Sequence, residues 1–311
     1  MTRFKLSRRT ALAAGAAVPL AAGLGGGAGG ARAAGHGGPK NAIQNTFGLG
    51  EFQVSTLLAG TRAVEDIQTI FGMNVSAEEF AEVSEENFIP ADKSQFFFTP
   101  TVVQTGAETV LFDAGLSAAG TGAALADAGV APEDVDIVVI THMHGDHIGG
   151  LTDDSGAPTY PNARYVTGQV EFDHWAGAGN ENFDAKVRPL AERMTFIGDG
   201  DSVVSGVTGM AAFGHTPGHM VYLVESGGSG VLLMADTANH YVWSVAYPEW
   251  EVRFDMDKEA AAATRKKVLG MVAADRIPLI GYHMPFPGIG YIESVSDGRF
   301  RYSPATYQLM L

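Results

Sequence analysis

Thr141-His-Met-His-Gly-Asp-His147 is the stretch on which the reading of this 311-residue chain turns. It follows Asp136-Ile-Val-Val-Ile140, a continuous apolar, β-branched run of the kind found in strands buried on both faces. On a chain still extended beyond that strand, His142 and His144 point the same way, because side chains alternate and only Met143 separates them. Gly145 is expected to let the backbone turn and bring Asp146 and His147 back to the same centre. Three imidazoles and a carboxylate at this spacing form a nitrogen and oxygen donor set suited to zinc. The chain has no cysteine, so thiolate nucleophiles, disulfides, iron–sulfur clusters and Cys-ligated zinc are excluded. Any metal must be held by carboxylates and by some of the nine histidines.

Further donors sit in similar places. His219 closes Gly214-His-Thr-Pro-Gly-His219, Asp236 follows Val231-Leu-Leu-Met-Ala235, and His283 follows Pro278-Leu-Ile-Gly-Tyr282. Each comes after an apolar strand candidate, the arrangement expected when a site gathers at one edge of a layered fold. A lone histidine is more often a hydrogen-bonded structural residue. Seven ordered positions argue for a centre instead. His174 and His215 read as structural or supporting residues, and His36 belongs to the amino-terminal tail.

The chain divides into three parts. Residues 1–33 carry Arg3, Lys5, Arg8 and Arg9, then a weakly apolar Ala/Gly/Leu run and Ala31-Arg32-Ala33, the pattern of a twin-arginine export signal with a small-residue cleavage site. An uncleaved membrane anchor is the alternative, disfavoured because a span needs about 20 strongly apolar residues. Residues 34–50 read as a flexible Gly-rich segment and 51–311 as the folded domain. The chain has 20 basic against 35 acidic residues, and loss of the five basic residues of 1–33 leaves 15 against 35. A strongly acidic exported protein is expected, with no nucleic-acid partner and no stable membrane insertion once the signal is removed.

Within 51–311, Thr101–Thr105 and Thr109–Phe112 read as a hairpin and Ser117–Ala128 as a helix. Further strands are expected at Arg164–Thr167, Met210–Phe213, Val221–Val224, Val231–Met234 and Pro278–Tyr282. Helices are expected at 169–176, 184–194 and Asp257–Ala274. Many strands with few, interspersed helices imply an α/β sandwich of two packed mixed sheets with helices outside.

The ordered donors resemble the metal motif of the metallo-β-lactamase superfamily, HxHxDH followed by a distal His, an Asp and a last His, over about residues 50–305. The resemblance implies the αββα sandwich and two divalent metal ions per chain. These would be zinc, with manganese, cobalt or iron as alternatives, and no organic cofactor would be needed. It assigns His142, His144 and His219 to one ion, and Asp146, His147 and His283 to the other. Asp236 and a hydroxide bridge the two in this reading, the hydroxide being the nucleophile. Asp113, in Leu111-Phe-Asp-Ala-Gly115, matches a residue that orients the site, and Asp146 is the catalytic group that manages a proton.

Gly214-His-Thr-Pro-Gly-His219, Arg253-Phe-Asp255 and Phe286-Pro-Gly-Ile-Gly290 are similar to the methyl parathion hydrolase group, whose members are exported and form homodimers. The implied substrate is a small lactone, carboxyl ester or phosphotriester, with lactonase favoured over an organophosphate triesterase or aryl esterase. Trp175, Trp243 and Phe254 are the aromatic pocket candidates. Asn239 and His240, with the small loop Leu116–Gly120, are expected to make the pocket wider and more polar. A glyoxalase II-like thiolester hydrolase would want a carboxy-terminal basic patch, for which Arg265, Lys266 and Lys267 are a poor match. A true β-lactamase would usually lack Asp146, and the intact Asp146 and His147 speak against an iron dioxygenase or a non-catalytic metal-dependent binder.

Overall fold

The computed structural model describes residues 43–306. Strands β1 (Gln44–Leu49) and β2 (Phe52–Leu57) form an antiparallel pair, and β3 (Gly60–Glu65) follows. Helix α1 (Ala77–Glu86) starts where the Ser76 hydroxyl accepts the Glu79 N–H at 3.1 Å. Strand β4 (Lys93–Phe98) returns to pair with β3 as a separate two-stranded ribbon. Strands β5 (Thr101–Gln104) and β6 (Thr109–Phe112) form the expected hairpin, and α2 (Ala118–Asp127) is capped by Ser117. All four residues of β7 (Ile137–Ile140) are buried, as its β-branched run implied. The single turn α3 (Gly145–Ile148), β8 (Arg164–Gly168), α4 (Gln169–Ala178), α5 (Glu181–Lys186) and β9 (Met194–Ile197) complete the first half.

The second half is a meander of β10 (Ser202–Val204), β11 (Val207–Ala211), β12 (Met220–Ser226) and β13 (Ser229–Ala235). Helix α6 (Lys258–Asp275) then leads to β14 (Leu279–Gly281), β15 (Ile289–Ser294) and β16 (Phe300–Pro304). Two seven-stranded sheets result, in the orders β1-β2-β5-β6-β7-β8-β9 and β10-β11-β12-β13-β14-β15-β16. Val54, Val110, Phe112, Val139 and Val166 of the first meet Val207, Tyr222, Val231, Leu233 and Ile280 of the second in one apolar layer. The other face of the first sheet packs on Ala124 and Leu125 of α2 and on Trp175 and Phe183. That of the second packs on Val268, Leu269 and Val272 of α6. This is the expected α/β sandwich, with mixed sheets inside and helices outside.

Strands β6 to β9 run parallel, as do β13 and β14, so their carboxy-terminal ends share an edge within each sheet. Asp113, Thr141, Asp236 and Tyr282 each follow such an end.

Several expectations change. Gln44–Leu49 is a paired strand with Leu49 buried, so the fold begins inside the 34–50 segment taken as flexible. The strand expected at Met210–Phe213 ends at Ala211, and the next residues form a loop. The helix expected over 184–194 breaks after Lys186 into a 3-10 turn, because Pro189 has no N–H to continue it. The proposed signal at 1–33 lies outside the described residues. Among those described, no helix is long and apolar enough to cross a membrane.

Leu111, fully buried in β6 beneath the helix layer, tests this packing. Leu111→Ala should cost about 2–5 kcal/mol in urea unfolding. A loss below about 1 kcal/mol would show that this sheet face does not hold the helices.

Candidate metal centre

The loop 141–147 is extended through His144 and then enters α3, so the reversal of direction is the start of a helix. Gly145 does not adopt a left-handed φ there. Its missing Cβ instead makes room for Asn182 Nδ2, which would lie 3.3 Å away. Asp113 (φ 62°) and Ala235 (φ 43°), at the ends of β6 and β13, are the left-handed non-glycine residues next to the centre. Such strain persists where the surroundings impose it, here at the two carboxylates Asp113 and Asp236.

Three overlapping groups of possible ligand atoms lie within 4.8 Å of one another: His142, His144 and His215; His142, His147 and Asp236; and Asp146, His147 and His283. His142 Nε2 is 3.2 Å from His144 Nδ1, which is 3.0 Å from His215 Nε2. Asp236 joins the groups. Its Oδ1 is 3.1 Å from His147 Nε2, and its Oδ2 lies 3.3 Å from His215 Nε2 and 3.1 Å from His283 Nε2.

Four imidazoles have Nδ1 committed to an acceptor behind them, which turns Nε2 toward the centre. His147 Nδ1 donates to Asp113 Oδ2 at 2.8 Å, His215 Nδ1 to Asp255 Oδ1 at 2.9 Å, and His283 Nδ1 to the Phe97 carbonyl at 2.8 Å. The Thr141 hydroxyl gives its proton to Asp113 Oδ2, so it accepts from His142 Nδ1 at 3.1 Å. Asp113 thus holds His147 directly and His142 through the Thr141 hydroxyl.

His215 and His219 exchange the roles expected of them. His215 Nε2 stands among the candidate ligand atoms, whereas His219 has both nitrogens occupied: Nδ1 donates to the Ala212 carbonyl and Nε2 accepts the Asp236 N–H, each at 3.1 Å. Both histidines belong to one tight loop, and spacing alone could not tell them apart. What decides is Asp255, which is buried and accepts from His215 on one side and from the buried guanidinium of Arg265 on the other, at 2.6 Å.

Glu171 was not anticipated. It is fully buried, and its carboxylate accepts from the Met143 N–H and Trp175 Nε1 through one oxygen, and from the Thr216 hydroxyl and Gly218 N–H through the other. It therefore staples the 142–147 loop to the 214–219 loop. Gly218 permits the approach, since a Cβ there would meet the Glu171 backbone nitrogen at 2.1 Å. As an acidic residue in the first turn of a helix, an ordinary place for one, Glu171 carries no signal in the sequence.

The centre opens into a cavity of about 510 Å³, walled by Val64, Ile70, Phe96, Phe98, Leu116 and Phe254, with Arg62 and Arg253 also lining it. Of the expected pocket residues only Phe254 is among these. Trp175 packs behind His144, Asn239 donates to Asp236 Oδ2 at 2.8 Å, and Trp243 is core, bonded to Ser84. His240 lies in a neighbouring cavity. The pocket is thus largely apolar-walled, because neither Asn239 nor His240 lines it.

His147 Nε2 and Asp236 Oδ1 are buried and make no hydrogen bond among the described residues, the condition a bound cation would relieve. Nitrogen and carboxylate donors alone, in overlapping groups, fit a divalent cation.

Residues 99–278 match the Metallo-beta-lactamase superfamily. The chain belongs to that superfamily. It is 30% identical over 149 residues to an N-acyl homoserine lactonase of Bacillus sp., and 29% identical over 149 residues to one of Bacillus cereus. Each match covers 48% of this chain and 55% of the relative, so the chain spans about half the length of the curated relatives it matches. Among solved structures, AidC, a dizinc quorum-quenching lactonase in complex with a product, aligns with a TM-score of 0.78 at 23% identity, over 86% of this chain and 99% of that one. The hydrolase AbOPH aligns at 0.79 and 24% identity, with the same coverage. These two likenesses bear on the fold.

In this superfamily member the centre is electrostatically divided. Burial, reinforced by neighbouring imidazoles, pushes His142 well down and His144 and His219 down to about 3. Burial would lower His147, His215 and His283 too, but the carboxylates outweigh it. Asp236 with Asp113 holds His147 well up, bonds to Asp236 and Asp255 hold His215 at about 9, and Asp236 with Asp146 holds His283 at about 10. Against its own desolvation, the same contacts keep Asp146 down at about 2.

Ligation needs neutral imidazole, so the raised histidines must give up protons to a cation. Calorimetric zinc titration at pH 7.5, in buffers of different ionisation enthalpy, should show release of at least about one proton per chain, with affinity rising as pH rises. Zinc uptake without proton release would contradict the assignment. His215→Ala should lower bound zinc by about 10–100-fold in affinity. His219→Ala should instead lower stability and leave Asp236 less well placed. Equal zinc affinity in His215→Ala and the unaltered protein would return the ligand role to His219.

Proposed function

We propose that this chain is an exported dinuclear zinc hydrolase that opens lactones, with an acyl-chain lactone as the favoured substrate. The observation that carries the reading is the cavity, with candidate ligands His144, Asp146, Asp236 and His283 on one side and phenyl and aliphatic side chains on the other. When bound, divalent cations supply Lewis acidity that polarises an ester carbonyl and acidifies water. The lactonase names of the relatives that the chain matches over about half their length, and the basic amino-terminal pattern, support the substrate and the export.

The residues divide the work by position. In this reading His142, His144 and His215 would hold one cation and Asp146, His147 and His283 the other, with the Asp236 carboxylate within reach of both groups. Phe96, Phe98 and Phe254 hold an apolar chain and exclude water from beside the carbonyl. Asp146 has a side chain 23% exposed against 4% for Asp236, so it is the carboxylate able to exchange a proton with a molecule in the cavity. Ring opening adds water across the ester bond. The hydroxyl of water joins the carbonyl carbon, and its proton passes by way of the Asp146 carboxylate to the departing ring oxygen. A phosphotriester or aryl ester is the second reading, favoured by the same aromatic wall and by the likeness to the methyl parathion hydrolase group.

A panel of acyl-homoserine lactones, δ-lactones, aryl esters and methyl paraoxon, run with zinc and with manganese, decides between them. The highest kcat/KM is expected on a lactone with an acyl chain, and turnover of none of the panel would refute the proposal. Asp146→Asn should retain the His142 group's metal and lose about 10²–10⁴-fold in kcat. An unchanged rate would reject the proton-transfer role.

A further inference from the structure

The ribbon of β3 and β4 has two faces, because successive side chains of a strand point opposite ways. Arg62, Val64, Phe96 and Phe98 face the cavity over the candidate centre. Ala63, Gln95 and Phe97 face a second cavity of about 440 Å³, backed by Ile89, Tyr241 and Trp243. The volume suits a small organic molecule.

His240 is the polar feature of this second cavity, and it is nine-tenths buried. Its ring stacks on Trp243 with centroids 4.0 Å apart and planes at 18°. Its Nδ1 accepts two backbone N–H groups, from Val242 at 3.1 Å and Trp243 at 3.2 Å. A nitrogen accepting two donors carries no proton, so the proton of this neutral ring sits on Nε2. Burial, which pushes the group down to about 3, agrees with a neutral ring. Nε2–H makes no hydrogen bond among the described residues, which leaves a donor of the lining unused.

The other polar groups of the cavity are Lys93, Ser94 and Gln95 at the ribbon, together with His283. Lys93 forms no ion pair among the described residues, and no aspartate or glutamate lines the cavity, although the chain has 35 acidic residues. Aromatic and aliphatic walls with the free His240 N–H, the Lys93 ammonium and no carboxylate favour an apolar body that ends in an acceptor or an anion. We propose that this second cavity binds a small apolar monocarboxylate, its chain against Phe97, Tyr241 and Trp243 and its carboxylate met by His240 Nε2–H and Lys93. The site opens on the other face of the ribbon from the first cavity and does not depend on the hydrolase reading, although His283 lines both cavities and its Nδ1 bonds to the Phe97 carbonyl between them.

Hexanoate is the probe, titrated into the full-length protein and followed by calorimetry and by NMR, with hexanamide as the neutral counterpart. Saturable hexanoate binding is expected, weakened about tenfold by Lys93→Glu and by Ala63→Phe, which fills the cavity from an exposed ribbon position. His240→Phe, which keeps an aromatic ring on Trp243 but removes both the Nε2–H donor and the Nδ1 acceptor of two backbone N–H groups, should weaken it similarly; if that variant does not fold, the two ribbon variants carry the test. Leu116→Trp, which narrows the first cavity, should leave binding unchanged. The proposal is overturned by hexanoate binding that Leu116→Trp abolishes and the ribbon variants do not, by hexanamide binding as tightly as hexanoate, or by no saturation. It is equally overturned by a dimer in sedimentation that Ala63→Phe dissociates, since a second copy would then cover this face.

Discussion

The carboxylate of Asp236 is the constraint about which the edge of both sheets is arranged. It is almost fully buried and has three imidazole nitrogens within 3.3 Å, from loops far apart in the chain. A desolvated carboxylate is costly unless positive or donor groups surround it, and here they come from His147, His215, His283 and Asn239. The histidines in turn are kept protonatable by the carboxylates. Without a cation, each sign stabilises the other. With one, the same geometry becomes a ligand set.

Holding so many polar groups in place demands rigidity behind them. Asp113 anchors the first loop through Thr141 and His147, and the pair of Asp255 and Arg265 anchors His215. Glu171 ties the two loops together. Three buried carboxylates outside the ligand groups thus serve to orient it. Each is fully hydrogen-bonded, which is what makes a buried polar network stabilising rather than disruptive. Arg265 donates to the carbonyls of Thr237 and Pro248 as well as to Asp255, so the helix across the second sheet also fixes the segment after Asp236.

The ribbon of β3 and β4 gives the molecule its asymmetry. One face lends phenyl rings to the cavity over the centre, and the other walls a cavity with no carboxylate. In a chain this acidic, arginines beside the first cavity and a lysine beside the second set the local charge against the overall one. Local charge decides what enters a cleft, because low-dielectric walls focus it.

Periodicity and residue type were enough for the layered α/β class, the buried strand before His142, the hairpin after Pro100 and the helix after Asp257. They also singled out six residues that the fold brings together in the candidate groups, because strand ends mark themselves by an apolar run followed by a polar residue. The strand at Gln44–Leu49 was invisible, since Gln-Asn-Thr-Phe-Gly-Leu has no strand pattern and is ordered by pairing with β2. The choice between His215 and His219 belonged to the tertiary structure: both close the same turn, and only the arrival of Asp255, forty residues on, aims one ring at the centre. The same holds for the pocket. Aromatic residues look alike in a sequence whether they line a cavity or fill a core, and the packing of the ribbon, not their identity, put Phe96, Phe98 and Phe254 at the cavity and Trp175 and Trp243 behind it.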